Sequence, residues 1–157
     1  MKLQRGFTFI ELMMTLAIMA VLAMVSLPLA EKAVQREKER ELRVALAQIR
    51  EAIDAYKRAS DAGRIELKVG ESGYPRSLDE LVSGVPDQKH PNHRMIYFLR
   101  VLPADPTFPD SSAAPALTWG VRSYESSADE PRAGADVFDV YSLSSGVGGN
   151  GVPYRNW

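Results

Sequence analysis

Between Phe7 and Ala30 the chain runs through 24 residues with a single ionisable side chain, Glu11. The part beyond it, Leu12–Ala30, is 19 uncharged residues, about enough to cross lipid hydrocarbon at about 1.5 Å per residue. The next stretch keeps a helical character but changes chemistry. Residues 31–43 carry nine charges of both signs without Gly or Pro. Opposite charges at helical spacing, such as Glu37 with Arg40 and Glu39 with Arg43, suit a solvated helix face. Leu42, Leu46, Ile49, Ile53 and Tyr56 then recur at steps of four, three, four and three, the stripe of a helix that buries one face. The pattern predicts one helix from Phe7 to about Ser60, with an apolar segment at 7–30 and an amphipathic stalk at 31–59. Pro28 removes a backbone hydrogen bond and crowds the preceding turn, so a local defect is expected near Ser26–Pro28.

Glu11 sits badly in such a run. A charged carboxylate costs about 2.5–3.5 kcal/mol at the centre of a membrane helix and less near its interface. Within the apolar stretch only Thr8, Thr15 and Ser26 offer hydrogen-bonding side chains. A partner arises if the chain is cut between Gly6 and Phe7. The new α-amine of Phe7 then lies four residues before Glu11, on the same helix face, where the free N–H groups of the helix start also favour a carboxylate. The basic hexapeptide before the cut, with Lys2 and Arg5, would stay cytoplasmic. An ordinary secretory signal would end its apolar core at a small-x-small site and would not place Glu11 inside it. A plain membrane anchor leaves Gly6, Phe7 and Glu11 unexplained.

The order basic leader, Gly6, Phe7, Thr8, two apolar residues, Glu11, long apolar run resembles the class III signal of type IV pilin-like proteins. The resemblance implies cleavage between Gly6 and Phe7 by a prepilin peptidase that also N-methylates Phe7. It further implies that Glu11 neutralises the N-terminus of a neighbouring subunit during filament assembly. The family carries a proline at the place of Pro28, around which the helix can extend in filaments.

The 157 residues suffice for one small domain on a stalk. Charge is nearly balanced, 19 basic against 20 acidic residues, but unevenly spread: residues 1–59 net +3 and residues 60–157 net −4. The second part therefore offers no basic field for nucleic acid. Cysteine is absent.

From residue 60 onward the pattern is that of a small α+β head. Residues 60–73 are a glycine-punctuated loop in which Ile65–Val69 is a candidate strand. Ser77 with Glu80 has capping-box spacing before Leu78, Leu81 and Val82, a short helix ending near Gly84. Residues 85–94 form a polar loop holding Asp87, His90 and His93; Pro91 between the histidines opposes a convergent metal site. Met95–Leu102 is apolar and aromatic and stops at the rigid turn Pro103–Pro106. Residues 118–123 and 137–143 read as strands, joined by a polar connection at 126–135. The glycine-rich end, residues 144–157, reads as an irregular loop pinned by Tyr154 and Trp157.

Tyr74-Pro75, Leu78 and Leu81, Leu102-Pro103, Asp105-Pro106, Thr118-Trp119-Gly120, Asp139 to Ser142 and Asn156-Trp157 together resemble a major pseudopilin of a type II secretion system. That resemblance implies an α+β pilin-like fold: a long N-terminal helix packed on a small antiparallel sheet. It also implies calcium in the carboxy-terminal loop. Here residues 143–151 hold no carboxylate, leaving Asp136, Asp139, Asn150 and backbone carbonyls as oxygen donors, whereas calcium favours six to eight oxygens including carboxylates. No cofactor or metal ligand is assigned.

The expected organisation is thus a cleaved leader at 1–6, a transmembrane or filament-core helix at 7–30, a stalk at 31–59 and a periplasmic head at 60–157. The expected role is a structural subunit of a secretion pseudopilus, anchored by a single pass in the bacterial inner membrane with its head in the periplasm. Its partners would be copies of itself, other pseudopilins, the prepilin peptidase and an inner-membrane assembly platform, with no nucleic acid and no small-molecule substrate. A major or minor subunit of a surface type IV pilus is the alternative. A membrane-tethered enzyme is a third, although no nucleophile–base pair stands out, Ser144-Ser145 lies in a flexible tail, and the chain has no phosphate-binding loop.

Overall fold

The hydrophobic periodicity of the first third becomes one α-helix, α1, Phe9–Asp61, in a computed structural model that describes residues 6–157 and, at 25–29, no side chains. The basic leader positions Lys2 and Arg5 lie outside the described residues. The expected defect at Pro28 falls in 25–29, whose side chains also lie outside them, and α1 continues through that stretch. The chain divides into two units, Met1–Glu37 and Lys38–Trp157.

Among its described residues the first unit is helix from Phe9 onward. Its large apolar side chains are exposed on every face, from Phe9 at 79% through Leu12 at 52% to Met24 at 75%. A helix that is hydrophobic all round belongs in apolar surroundings. Among the described residues no helix is long and apolar enough to cross a membrane; the described apolar side chains of the run stop at Met24 and resume at Ala30.

In the second unit the stripe does what its spacing predicts. Leu42, Leu46, Ile49, Ile53 and Tyr56 are buried, joined by Ala45, Ala52 and Ala59 on the same face. They meet Leu78, Leu81, Leu102, Trp119, Val137 and Val140 in one core. One part of the solvated stretch 31–43 differs from expectation: Glu39 is buried, because the far end of the chain covers it.

The short helix α2, Leu78–Ser83, inserts Leu78 and Leu81 and ends at Gly84. Its expected capping box does not form. Ser77 makes no side-chain cap, and Glu80 reaches one residue further back, accepting from the Arg76 N–H at 2.9 Å. Glu80 also accepts from the Tyr56 hydroxyl at 3.3 Å. Burial, then the Glu80 charge, pushes that hydroxyl up to about 12.

The sheet is split into two antiparallel pairs. Val85–Pro86 (β1) pairs with Met95–Ile96 (β2), and Trp119–Arg122 (β3) pairs with Asp139–Ser142 (β4), Trp119 opposite Ser142 and Val121 opposite Val140. This is the expected α+β architecture of a long N-terminal helix with a small antiparallel head, consistent with a pilin-like fold. Ile65–Val69 is not a strand: Ile65 is buried while Val69 is fully exposed, and no strand pairs with it. Beyond Ile96 the aromatic tract leaves the sheet, and the N–H groups of Phe98 and Leu99 both donate to Leu81 O, tying it to α2. The indole of Trp119 donates to Pro103 O at 2.8 Å, which fixes the Pro103–Pro106 turn against β3.

Candidate processing and assembly segment

Gly6, Phe7 and Thr8 precede the helix in non-helical backbone and are exposed. The helix begins two residues later than the stripe predicts, and Thr8 is the reason. The Glu11 N–H donates to Thr8 Oγ1 at 3.3 Å, and the Leu12 N–H to Thr8 O at 3.1 Å. Thr8 thus stands at the N-cap and Glu11 at the third helical position, the Thr-x-x-Glu spacing of a capping box. The sequence identifies Thr8 as part of the signal and as a hydrogen-bonding side chain; its capping role is legible in the same spacing. The bond between Gly6 and Phe7, where the sequence leads one to expect cleavage, lies outside the helix in exposed chain. Glu11 lies in the first turn, where the unsatisfied N–H groups favour a carboxylate.

The other candidate sites resolve into structural networks. Asp87 is an ion-pair and turn centre: it accepts from Arg64 Nη2 at 2.6 Å and Nε at 3.0 Å and from the Lys89 N–H at 3.0 Å. The Arg64 guanidinium holds its carboxyl below the usual range. His90 Nδ1 accepts from the Asn92 N–H. Among the described residues no three metal-binding side chains come together.

The oxygen donors named for calcium are likewise engaged. Asp139 accepts from Arg50 Nε at 2.8 Å, Arg122 Nη2 at 3.3 Å and the Val140 N–H at 2.8 Å. Asp136 accepts from the Ser72 hydroxyl and from the Tyr124 N–H at 2.9 Å. Asn150 Oδ1 accepts from the Val152 N–H at 3.0 Å. Ser142, beside the tail, donates its hydroxyl to buried Asp105, which also accepts from the Thr107 N–H and hydroxyl at 2.7 and 2.6 Å.

A surface recess of about 710 Å³ is lined by Tyr56, Glu71, Arg76, Glu80 and Asp136 among others. Among its charged groups, Glu71 pairs with Arg76, Glu80 with Tyr56 and Asp136 with Ser72.

Residues 1–27 match the family model of the prokaryotic N-terminal methylation motif. Comparisons with curated proteins and with solved structures returned no match. The matched segment contains Gly6, Phe7, Thr8 and Glu11. The motif supports a type IV pilin-like subunit, a structural class processed by prepilin peptidase, assembled into filaments and anchored at the inner membrane beforehand.

Proposed function

We propose that this chain is a structural subunit of a type II secretion pseudopilus, which assembles from the bacterial inner membrane and helps export folded proteins. The observation that carries the reading is the methylation motif at 1–27 running into a helix with apolar side chains exposed all round. Such a surface needs lipid before assembly and neighbouring helices afterwards. In this reading residues 7–30 span the membrane once and later enter the filament core, and the head stands in the periplasm. Cleavage after Gly6 frees the amine of Phe7, which is methylated. Glu11 then steers each incoming subunit by pairing with the Phe7 amine of its neighbour, and Pro28 marks the place where the helix can yield.

The head tracts around Tyr74-Pro75, Trp119-Gly120 and Asp139–Ser142 favour a secretion pseudopilin over a surface pilin, as does the absence of cysteine. The role is mechanical; energy for assembly comes from a separate cytoplasmic ATPase. Its partners are further copies, other pseudopilins and the membrane assembly platform.

The test is the culture-supernatant proteome of a clean deletion strain beside its complemented parent. Selective loss of exported folded proteins, restored by complementation, is the expected result. An unchanged supernatant with loss of sheared surface fibres would assign the chain to a type IV pilus instead.

A further inference from the structure

Glu39, Arg43, Leu46 and Arg50 lie within about 60° of one another around α1, at 100° of rotation per residue. Leu46 enters the core, and the three charged residues meet the glycine-rich tail. Glu39 is 7% exposed. Its Oε1 accepts from the Gly149 N–H at 2.8 Å and from the Tyr154 hydroxyl at 3.2 Å. The Arg43 guanidinium lies 4.4 Å above the Trp157 ring, a stacking contact. Arg50 Nη2 donates to Trp157 O at 3.0 Å and to Val140 O at 3.1 Å.

The tail also closes on itself. The Gly148 N–H donates to Val152 O at 2.9 Å, the Gly151 N–H to Gly148 O at 2.8 Å and the Tyr154 N–H to Gly146 O at 3.1 Å. The Trp157 ring packs so closely on Gly148 that a Cβ there would lie 2.3 Å from it. This explains one glycine of the run by close approach.

The polarity of these contacts decides what can order the tail. Toward Glu39 it presents an amide N–H and a phenol O–H, both donors. Inward donors complement an anion; a calcium ion needs six to eight oxygen lone pairs converging on one point. The carboxylates nearest in sequence are spent on other donors, Asp139 on Arg50, Arg122 and Val140, and Asp136 on Ser72 and Tyr124. A cation at Asp139 would also face the guanidiniums of Arg50 and Arg122. The donor set does not fit the calcium that the family resemblance implies.

We propose that the Glu39 carboxylate, with Arg43 and Arg50 beside it, orders residues 144–157, and that this ordering requires no divalent cation. An anion built into α1 takes the place of a diffusible ion, so the tail forms wherever the head is folded. The inference is independent of which filament the subunit enters.

The test is amide hydrogen exchange on the full chain in detergent, with calcium chloride and with EDTA. In the wild type, protection at Gly148, Gly149, Gly151 and Tyr154 is expected to be the same in both. In Glu39→Ala the Gly149 amide should exchange at least about tenfold faster, as the loss of a charge-assisted hydrogen bond implies. Glu39→Gln, which keeps an acceptor oxygen, should lose less. Protection along α1 and β3–β4 in the same data reports whether the head remains folded. Should the variants unfold, the chelation arm alone decides. Loss of tail protection in wild-type protein on adding EDTA would overturn the proposal, as would wild-type protection of Gly149 in folded Glu39→Ala.

Discussion

Asp136 shows burial and hydrogen bonding contending at one carboxylate. Burial raises its pKa, while hydrogen bonds from Ser72, the Tyr124 N–H and Ser123 lower it, and the net shift is downward from 3.8. A folded-state value below the unfolded one contributes stability above the unfolded pKa, and that stability is lost as pH falls through the folded value. Asp87, held down chiefly by Arg64, acts in the same direction. The head should therefore lose stability on acidification below about pH 4. Asp136→Asn should lower stability at neutral pH and shrink the difference between neutral and acid conditions, as read by urea unfolding at each pH. An identical pH dependence in variant and wild type would contradict this account of the carboxylate.

Single residues also mark where sequence reasoning stopped. Glu39 stands among nine charges in thirteen residues, and nothing local separates it from its solvated neighbours. Its burial comes from Gly149 and Tyr154, more than a hundred residues away, a non-local fact that no periodicity carries. Thr8 is the opposite case, since its capping partner lies three residues on and the spacing was there to be read.

Among the elements, α1 was the most legible because its stripe repeats over many turns and each apolar step reinforces the last. The pair β1–β2 was hidden, since two residues per strand are too few to alternate. Ile65–Val69 alternates well enough to pass for a strand, yet strand formation depends on a partner and a covered face, and Val69 has no cover. The expected capping box at Ser77 failed because Glu80 is drawn to the Arg76 N–H and to Tyr56.

The turn from α2 into β1 rests on Gly84, whose φ is +77°. A Cβ there would lie 2.8 Å from Ile96 O and 2.9 Å from the Tyr97 ring. Gly84→Ala combines a left-handed backbone with a clash against the neighbouring strand and should cost about 1–3 kcal/mol. Denaturant unfolding measures this, and an unchanged midpoint would show that the turn tolerates a side chain.

At the scale of the whole molecule, the chain separates two kinds of surface. Residues before Lys38 carry the methylation motif and an apolar helix; residues from Lys38 onward make a packed head whose core includes the stripe of α1. The first part was legible as a motif because its chemistry is written in consecutive residues. The head's role was less so, because its polar side chains are mostly occupied with one another. In the filament account Glu11 serves assembly and contributes little to insertion. Glu11→Gln should therefore leave the membrane-bound amount of subunit unchanged and reduce assembled filament sharply, as read by fractionation and shearing. Normal filament yield would remove the pairing role.

The central claim is that this chain is a prepilin-type subunit, and the mass of the N-terminal peptide of the protein recovered from its own membranes tests it most directly. The account predicts a peptide beginning at Phe7 and carrying one methyl group on its amine. A protein that still begins with the basic hexapeptide, or one cut after the apolar run, would contradict it.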